Sequence, residues 1–394
     1  MPDTLYVLAN HLGGITSLCS NLIRYRPEGA DRQAAILLTD ALDPAPRPKG
    51  LIGADFETVF NYSRQENVYS VLGRLRGLIG KRKGPVVSNS ACELALFSRY
   101  NLGCTVYQIV HDSYNLSLAK SYEPIVDVMI AHSQHVFTQL LEMLPHRRDR
   151  IFYLPYGIPI GKGLRKRNET RMLHLVFLGR LVDGKGVHDL PKIDRMLQGT
   201  SVSVRWTIIG DGPERTRLMD SLPASERVRY ASPQFSDDVL SLCAEGDVFV
   251  FPTHFEGFPV ALLEAMSTGL VPVASDLPSG IPEVVDASSG FRVAIGDITG
   301  FAERIAMLHY DRTLLERLSL AARERAQAFD VAKRVGEYHA LFARWEELKR
   351  PWPGPLTMKH GSRLDQPYLP NAVTRASRSV LGQLSAVFRT ERAQ

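Results

Sequence analysis

Cysteine is scarce in this chain of 394 residues, and it is not arranged for metal binding or cross-linking. The four cysteines lie far apart and form no C-x-x-C pair: Cys19, Cys92, Cys104 and Cys243. A structural zinc site needs clustered cysteine or histidine ligands, and disulfide frameworks are typical of short secreted chains. The sequence therefore predicts no bound metal, no disulfides and a reducing compartment.

Long hydrophobic runs are missing as well. No run approaches the ~18 consecutive apolar residues that a membrane-spanning helix needs. The first residues, MPDTLYVLANHLGG, have neither the basic start nor the long apolar core of a secretory signal. We therefore expect a cytoplasmic protein.

The chain also lacks a strong excess of either charge, since 47 Lys and Arg against 42 Asp and Glu give a net charge of +5. Basic residues are concentrated in two places, residues 74–83 and the tail 351–394. This distribution leaves binding to a polyanion open as a hypothesis. It does not fit a uniformly basic nucleic-acid-binding module, so we expect no nucleic-acid partner.

Short apolar runs typical of buried strands alternate with helix-period segments along most of the chain. Such alternation predicts parallel sheets covered by helices on both faces. A polar, basic segment at 157–171 interrupts the series, which predicts two similar α/β domains, 1–160 and 161–330. The predicted strands are 5–9, 35–39, 86–88, 105–110, 128–131, 151–154, 173–178, 202–209, 248–251 and 271–274.

Beyond Asp297 the pattern is helical, with helices predicted at 298–309, 312–328 and 331–348. The sequence PWPGP at 351–355 then ends regular structure, because proline cannot continue a helix. The tail 351–394 contains one candidate amphipathic helix, 371–389. At ~100° per residue its apolar side chains form one stripe: Val373, Ala376, Val380, Leu381, Leu384, Val387 and Phe388.

Three arginines lie opposite that stripe: Arg375, Arg378 and Arg389. The pattern is typical of two arrangements. One is a helix on an anionic membrane surface, which would make the protein peripheral on the inner face of the membrane. The other is a helix packed on the protein itself.

Ligands of open parallel sheets bind beyond the carboxyl ends of the strands, so functional residues are expected in the loops that follow. After the first strand, Gly13 and Gly14 precede a helix and form either a plain turn or an anion site built from backbone N–H groups. After strand 202–209, the loop GDGPE at 210–214 falls short of a dinucleotide fingerprint, because Arg215 occupies the position of its third glycine.

The loop after strand 173–178 is GRLVDGKG, residues 179–186. It nearly matches a P-loop, but Gly186 stands where the P-loop needs a hydroxyl, so a P-loop NTPase is disfavoured. Arg180 and Lys185 are then either surface charges or ligands for a phosphate or diphosphate.

The segment FPTHFEGFPVALLEAM at 251–266 contains two glutamates eight positions apart. Glu256 lies in the loop after strand 248–251, and Glu264 lies inside a helix predicted to begin near Pro259. The backbone N–H groups of 258–262 are expected to be free at that helix start. A carboxylate at each end of an amide-lined anion site suits a ligand that carries both hydroxyls and phosphates.

Taken together, these motifs resemble those of the family 4 glycosyltransferases. The E-x7-E motif runs from Glu256 to Glu264, the G-R-L…K-G loop spans 179–186, and G-x-G-P-E spans 210–214. The resemblance is close over 170–345 and looser over 1–160. It implies the α/β GT-B fold, in which two Rossmann-like domains face a cleft and a helix, here 331–349, crosses back onto the first domain.

The resemblance also implies an activity. It is retaining transfer of a hexose-type sugar from a UDP- or GDP-type nucleotide-diphospho-sugar to a glycan or lipid-linked acceptor, in envelope or exopolysaccharide synthesis. No cofactor or metal is implied, and the sequence contains no D-x-D motif. A non-catalytic nucleotide- or polyanion-binding protein on the same scaffold is the alternative, although a phosphate-only binder needs neither glutamate.

Residue roles follow from the same resemblance. Arg180 and Lys185 would hold the diphosphate, and Glu264 would bind the ribose hydroxyls. Glu256 and His111 would be the catalytic residues, Glu256 positioning the sugar hydroxyls and His111 facing the donor sugar near the reacting carbon. The other donor-binding residues implied are Gly14, Gly257, Phe258, Pro259 and Val260 around the phosphates and sugar, and Gln234 at the nucleobase.

Overall fold

The computed structural model describes residues 3–11, 13–43, 50–51, 53–160, 172–232, 236–357 and 362–380. Seven strands form a parallel sheet in the first part of the chain. They are β1 (Thr4–Ala9), β2 (Gln33–Asp40), β3 (Phe56–Tyr62), β4 (Pro85–Ser88), β5 (Thr105–Val110), β6 (Val128–Ala131) and β7 (Ile151–Tyr153). The helices of this part are α1 (Gly14–Arg24), α2 (Val68–Ile79), α3 (Ala91–Phe97), α4 (Asn115–Tyr122) and α5 (Gln134–Met143).

A second parallel sheet of six strands follows. Its strands are β8 (Leu173–Leu178), β9 (Val204–Ile209), β10 (Val228–Ala231), β11 (Val248–Phe251), β12 (Val271–Asp276) and β13 (Phe291–Ala294). Its helices are α6 (Leu190–Gln198), α7 (Arg215–Ser221), α8 (Ser236–Cys243), α9 (Val260–Ser267), α10 (Ile281–Val284), α11 (Ile298–Tyr310) and α12 (Arg312–Gln327).

The strand orders are β3-β2-β1-β4-β5-β6-β7 and β10-β9-β8-β11-β12-β13. In each sheet the chain reverses its direction of winding between two central neighbours, β1 and β4 in the first sheet and β8 and β11 in the second. Such switch points leave a crevice beyond the carboxyl ends of the strands, which is where open α/β sheets bind ligands.

Alternate residues of β1 belong to different apolar cores, as the two-residue repeat of a strand requires. Leu5 and Val7 pack in a core confined to the first domain. Tyr6 and Leu8 belong to a core that continues into the second domain through side chains of α9, including Leu262. The two sheets are therefore connected by shared apolar packing as well as by the chain.

Every strand predicted from the sequence is present, and the prediction of two Rossmann-like parallel sheets is confirmed. Three strands were not predicted: β3, β10 and β13. They form outer edges of the two sheets, with the seventh strand on the remaining edge of the first. An edge strand is half solvated, so its apolar pattern is weak; most of β3, for example, is exposed.

The helix predicted over 331–348 is interrupted at Arg344, which separates α13 (Val331–Ala343) from α14 (Trp345–Leu348). The path nevertheless crosses back onto the first domain as expected. The Phe342 ring packs edge-on against Tyr107 with ring centroids 5.2 Å apart. The Tyr107 hydroxyl donates to the Leu341 carbonyl at 3.1 Å, and the Tyr338 hydroxyl donates to the Leu154 carbonyl at 2.7 Å.

The tail continues along the first domain. The Trp352 indole N–H donates to the Phe97 carbonyl, and residues 371–380 form a last helix, α15, near the N-terminus of α2. The remainder of the predicted helix, 381–389, lies outside the described residues. Across the described ranges, the structure contains no helix with both the length and the hydropathy needed to cross a membrane.

Candidate functional site

Loops at the carboxyl ends of the strands of the two sheets face each other across a narrow cleft. A Cβ added to Gly257, after β11, would lie 2.2 Å from the carbonyl oxygen of His111, which follows β5. A Cβ added to Gly14, at the start of α1, would lie 3.7 Å from the Tyr156 hydroxyl and 4.0 Å from a methyl of Val260. The fold therefore brings together four of the residues implied by the resemblance, two from each domain: Gly14, His111, Gly257 and Val260.

The helix α9 begins at this meeting point. Its N-cap, Pro259, has no N–H, and the Val260 N–H donates to the Phe258 carbonyl at 2.9 Å. The prediction that all of 258–262 offer free N–H groups is therefore wrong at two positions. The N–H groups of Ala261 and Leu262 have no acceptor in the described part of the chain. Two adjacent free donors at a helix N-terminus can still bind an anion.

Glu256 and Lys185 form an ion pair at the mouth of the second sheet. Lys185 Nζ lies 2.7 Å from Glu256 Oε2, and Glu256 Oε1 accepts from the Gly257 N–H at 3.1 Å. The resemblance implied separate contacts for these two residues, with diphosphate and with sugar. The pairing places both side chains within reach of one ligand and fixes the rotamer of the carboxylate.

Arg180 is exposed, and no ion-pair partner lies near it in the part of the chain that the structure describes. Its charge is close enough to the first domain to influence His11, whose pKa is lowered by burial and then by Arg180. This guanidinium is therefore available to an anionic ligand in the cleft.

Glu264 lies in α9, two positions after Leu262. Burial raises the pKa of its carboxyl to about 7. Its side-chain oxygens accept no hydrogen bond from any residue that the structure describes. Glu264 is partly exposed, so a carboxylate without a protein donor is available there to the hydroxyls of a ligand.

His111 is buried, and both of its ring nitrogens have protein partners. Nε2 lies 3.0 Å from Asn89 Oδ1, and Nδ1 lies 3.5 Å from the Tyr156 hydroxyl. Because the Asn89 amide nitrogen donates to the Val7 carbonyl, its Oδ1 accepts, which assigns the proton of His111 to Nε2. Burial and the neighbouring His132 hold the pKa of His111 well below its usual range. The ring is thus neutral and engaged, and its backbone carbonyl faces Gly257.

Several residues of the cleft were not picked out as site residues from the sequence. The Tyr156 ring stacks on Phe258 with centroids 5.7 Å apart and an interplanar angle of 8°. Glu283 joins the domains, accepting from the Gln134 N–H at 2.5 Å and from the Tyr153 hydroxyl at 2.7 Å. Asn89, the partner of His111, follows β4 directly, and this position after a strand could have marked it as a site residue. No spacing pattern in the sequence marks Glu283.

Gln234, implied at the nucleobase, lies outside the described residues. Over the ranges that the structure describes, no group of three or more His, Cys, Asp or Glu side chains is placed to hold a metal ion. The four cysteines are free thiols.

Comparison with known proteins identifies the second domain. Residues 173–311 match the family described as glycosyl transferases group 1, so the chain contains such a domain. A colanic acid biosynthesis glycosyltransferase named WcaL, from Salmonella typhimurium, is 34% identical over 170 residues, 40% of this chain and 42% of WcaL. A glycogen synthase of Mycobacterium tuberculosis is 29% identical over 57% of this chain and 56% of its own length. The chain thus matches roughly two fifths to three fifths of the length of these curated relatives.

Solved structures with the same fold cover most of the chain. The HepE protein of Anabaena, in complex with UDP and glucose, superimposes with a TM-score of 0.69 at 19% identity, over 87% of this chain and 99% of HepE. A sucrose-phosphate synthase from Thermosynechococcus elongatus gives 0.65 at 17% identity, over 87% of this chain and all of that one (100%). The fold predicted from the sequence, GT-B, is confirmed.

We expect Gly257→Ala to disturb the contact between the domains, because its Cβ would meet the His111 carbonyl and the Asp112 side chain. Overpacking against backbone costs about 1–3 kcal/mol, and thermal unfolding measures it. Gly184→Ala is the matched control, since no atom lies within 4 Å of a Cβ at that position. Equal melting temperatures for the two variants would contradict the close approach.

Proposed function

We propose that this protein is a retaining glycosyltransferase of family 4. It transfers a hexose-type sugar from a UDP- or GDP-type nucleotide-diphospho-sugar to a glycan or lipid-linked acceptor, in envelope or exopolysaccharide synthesis in the cytoplasm. It needs no metal or other cofactor. One observation carries the proposal: Glu256, paired with Lys185, and the unpartnered Glu264 flank the free N–H groups of α9, opposite Gly14.

The arrangement matches the parts of a nucleotide-diphospho-sugar in order. The Ala261 and Leu262 N–H groups, with the positive end of the α9 dipole, bind the diphosphate. Arg180 and Lys185 offset the negative charge that grows on the diphosphate as it leaves, which is the electrostatic part of catalysis. Glu264 accepts hydrogen bonds from the two ribose hydroxyls, and Glu256 accepts from hydroxyls of the sugar.

No side chain in this arrangement acts as the nucleophile. The acceptor hydroxyl attacks the anomeric carbon from the face on which the diphosphate leaves, and the departing phosphate oxygen takes the hydroxyl proton. One C–O bond breaks and one forms on the same face, so the configuration is retained. His111, implied as a catalytic residue, is a neutral ring hydrogen-bonded to Asn89, so in this route it faces the donor sugar near the reacting carbon and takes no proton.

The relatives support the same class of chemistry. The match to glycosyl transferases group 1 covers Arg180, Lys185, Glu256 and Glu264. WcaL is named for colanic acid biosynthesis, and CapM of Staphylococcus aureus, 28% identical over 44% of this chain, for capsular polysaccharide biosynthesis. These names favour an envelope or extracellular polysaccharide as the product, and HepE, solved with UDP and glucose, favours a UDP-type donor.

Nucleotide binding is the first test. Nucleoside diphosphates UDP, GDP and ADP, and their sugars, are compared by thermal shift, where a ligand at ~100 times its Kd adds about 2.7 kcal/mol of stability. We expect one base to be favoured, and Glu264→Ala to abolish the shift because the ribose loses its acceptor. A response to none of the nucleotides would remove the donor site. A variant Glu264→Ala that responds fully would remove the ribose role alone.

Turnover separates the enzyme from a non-catalytic nucleotide-binding protein. With a nucleotide-sugar that binds, we expect release of the nucleoside diphosphate, slow with water and faster with an acceptor. Glu256→Gln is expected to lower the rate about 100-fold by misplacing the sugar, while binding of the free nucleotide changes little. The exposed Glu226→Gln is the control variant. Tight binding without any turnover would favour the non-catalytic alternative.

Proton linkage tests the state of Glu264. Ribose hydroxyls that donate to its carboxylate favour the ionised form, so nucleotide binding lowers a pKa that is about 7 in the free site. Binding at pH 7 then releases protons, and affinity falls as the pH drops below 7. Calorimetry in buffers of different ionisation enthalpy counts the protons. The nucleotide phosphate also titrates, so the number of protons released by the Glu264→Gln variant is subtracted from the number released by the wild type. A difference of zero would contradict the contact between Glu264 and the ribose.

A further inference from the structure

The tail helix α15 docks on the first domain through its polar face. The Asn67 N–H donates to Asn371 Oδ1 at 2.8 Å, and the Asn67 amide donates to Thr374 Oγ1 at 3.3 Å. The Arg378 guanidinium donates to the carbonyl oxygens of Arg64, at 2.9 Å, and Glu66. Positions 371, 374 and 378 lie on one side of a helix. The rotation of α15 about its axis is therefore fixed by hydrogen bonds.

A buried ion pair fastens the same face. Asp365 accepts from the Val68 N–H at the start of α2 and pairs with Arg378; their side chains are 3% and 18% exposed. Burial alone would raise the pKa of Asp365, but hydrogen bonds from the Ser362 and Val68 N–H groups and from Arg378 outweigh it, and the pKa is lowered. The pair is thus ionised at neutral pH. Arg378 therefore points toward the first domain and not toward solvent.

The apolar stripe of α15 consequently faces solvent. Val373 is 47% exposed and Val380 is 56% exposed, with exposed Ala376 between them. Tyr368, just before the helix, is 81% exposed. A helix packed on its own protein normally turns its apolar stripe inward and its polar side outward. In α15 the polar side faces the protein and the apolar side faces outward, so the apolar side is available to bind another surface.

The charges around this stripe have one sign. Asp365 is the only acidic residue in 362–380, and it is buried and paired with Arg378. Arg363 and Arg375 are exposed, and neither has an ion-pair partner within the described ranges. The outward surface of the tail therefore combines aliphatic groups, a tyrosine and positive charge. Anionic lipid headgroups over an acyl boundary complement that combination.

We propose that Tyr368, Val373, Ala376 and Val380 form a membrane-docking face that lies on an anionic lipid surface. The aliphatic side chains enter the acyl boundary, Tyr368 lies at the headgroup level, and Arg363 and Arg375 contact the headgroup phosphates. This inference rests on the tail alone and does not depend on the donor site.

The membrane-docking face lies near the cleft, which suggests what membrane binding would do for the enzyme. Arg64, whose carbonyl holds Arg378, also lines a cavity of about 240 Å³ beyond the carboxyl ends of β1–β3, with His11, Asp40 and Tyr62. A membrane under α15 lies beside this part of the first domain. An acceptor carried by the same membrane could then reach the cleft without leaving the bilayer, a consequence that does rest on the proposed function.

Vesicle sedimentation of the full chain tests the docking face. Wild-type protein is expected to sediment with vesicles of equimolar phosphatidylglycerol and phosphatidylcholine, and less with phosphatidylcholine alone or in high salt. Val373→Glu and Val380→Glu should each lower partitioning about tenfold or more, through lost apolar burial and added charge. Ser379→Glu adds the same charge at an exposed position off the stripe. It should cost at most about fivefold, the share of one charge.

Three results would overturn the proposal. They are no sedimentation with either kind of vesicle, equal losses for Ser379→Glu and the valine variants, and a wild-type dimer in ultracentrifugation that Val373→Glu makes monomeric. The last would assign the face to a second copy of the chain. All three substitutions are at exposed positions, so unchanged melting temperatures verify folding. The nucleotide thermal shift should persist in each variant, and its absence in wild type would count against the donor site only.

Discussion

The close backbone contact between His111 and Gly257 sets the spacing of the two domains, and the chemistry of the cleft depends on that spacing. Each sheet alone ends in loops that are open to water. When the His111 carbonyl lies against Gly257, Gly14 also comes within reach of Val260, and the N-terminus of α9 becomes the floor of a narrow cleft. A side chain at 257 would separate these loops, so the absence of a Cβ there is a condition for the site.

Desolvation in this cleft explains the states of its titratable groups. Burial raises the pKa of Glu264 to about 7 and, together with His132, lowers that of His111. Burial thus favours the neutral form of both groups. The histidine already has hydrogen-bond partners in the protein, but the carboxylate has none in the described ranges. Asn89 and Tyr156 contact the histidine from within the protein, whereas the partly exposed Glu264 carboxylate has no protein donor among the described residues and is open to a ligand. The cleft is thus preorganised on the side of the first domain and incomplete on the side of the second.

Local patterns were sufficient for the central strands and for the loops that carry Arg180, Lys185, Glu256 and Glu264. A buried parallel strand has apolar residues on both faces, and a ligand loop follows it directly in the chain, so both signals are contiguous in sequence. The same reasoning failed for the edge strands β3, β10 and β13, because most of their residues are exposed or half-buried and their apolar pattern is weak. It also predicted free N–H groups at Pro259 and Val260. Proline has no N–H, and the Val260 N–H donates to the Phe258 carbonyl.

The sequence by itself determined the α/β class, the two sheets, the helices after Asp297 and the motif residues, because each depends on short-range periodicity or on a loop next to its strand. The crossing of the last helix back onto the first domain was implied by the resemblance alone. Only the tertiary structure decided the pairing of Lys185 with Glu256, the engagement of His111 with Asn89, and which face of α15 turns outward. These depend on contacts between residues tens to hundreds of positions apart, and Arg378 illustrates the point. On a helical projection it is one more surface arginine, yet the fold supplies Asp365 and two carbonyl groups that draw it inward and leave the valines exposed.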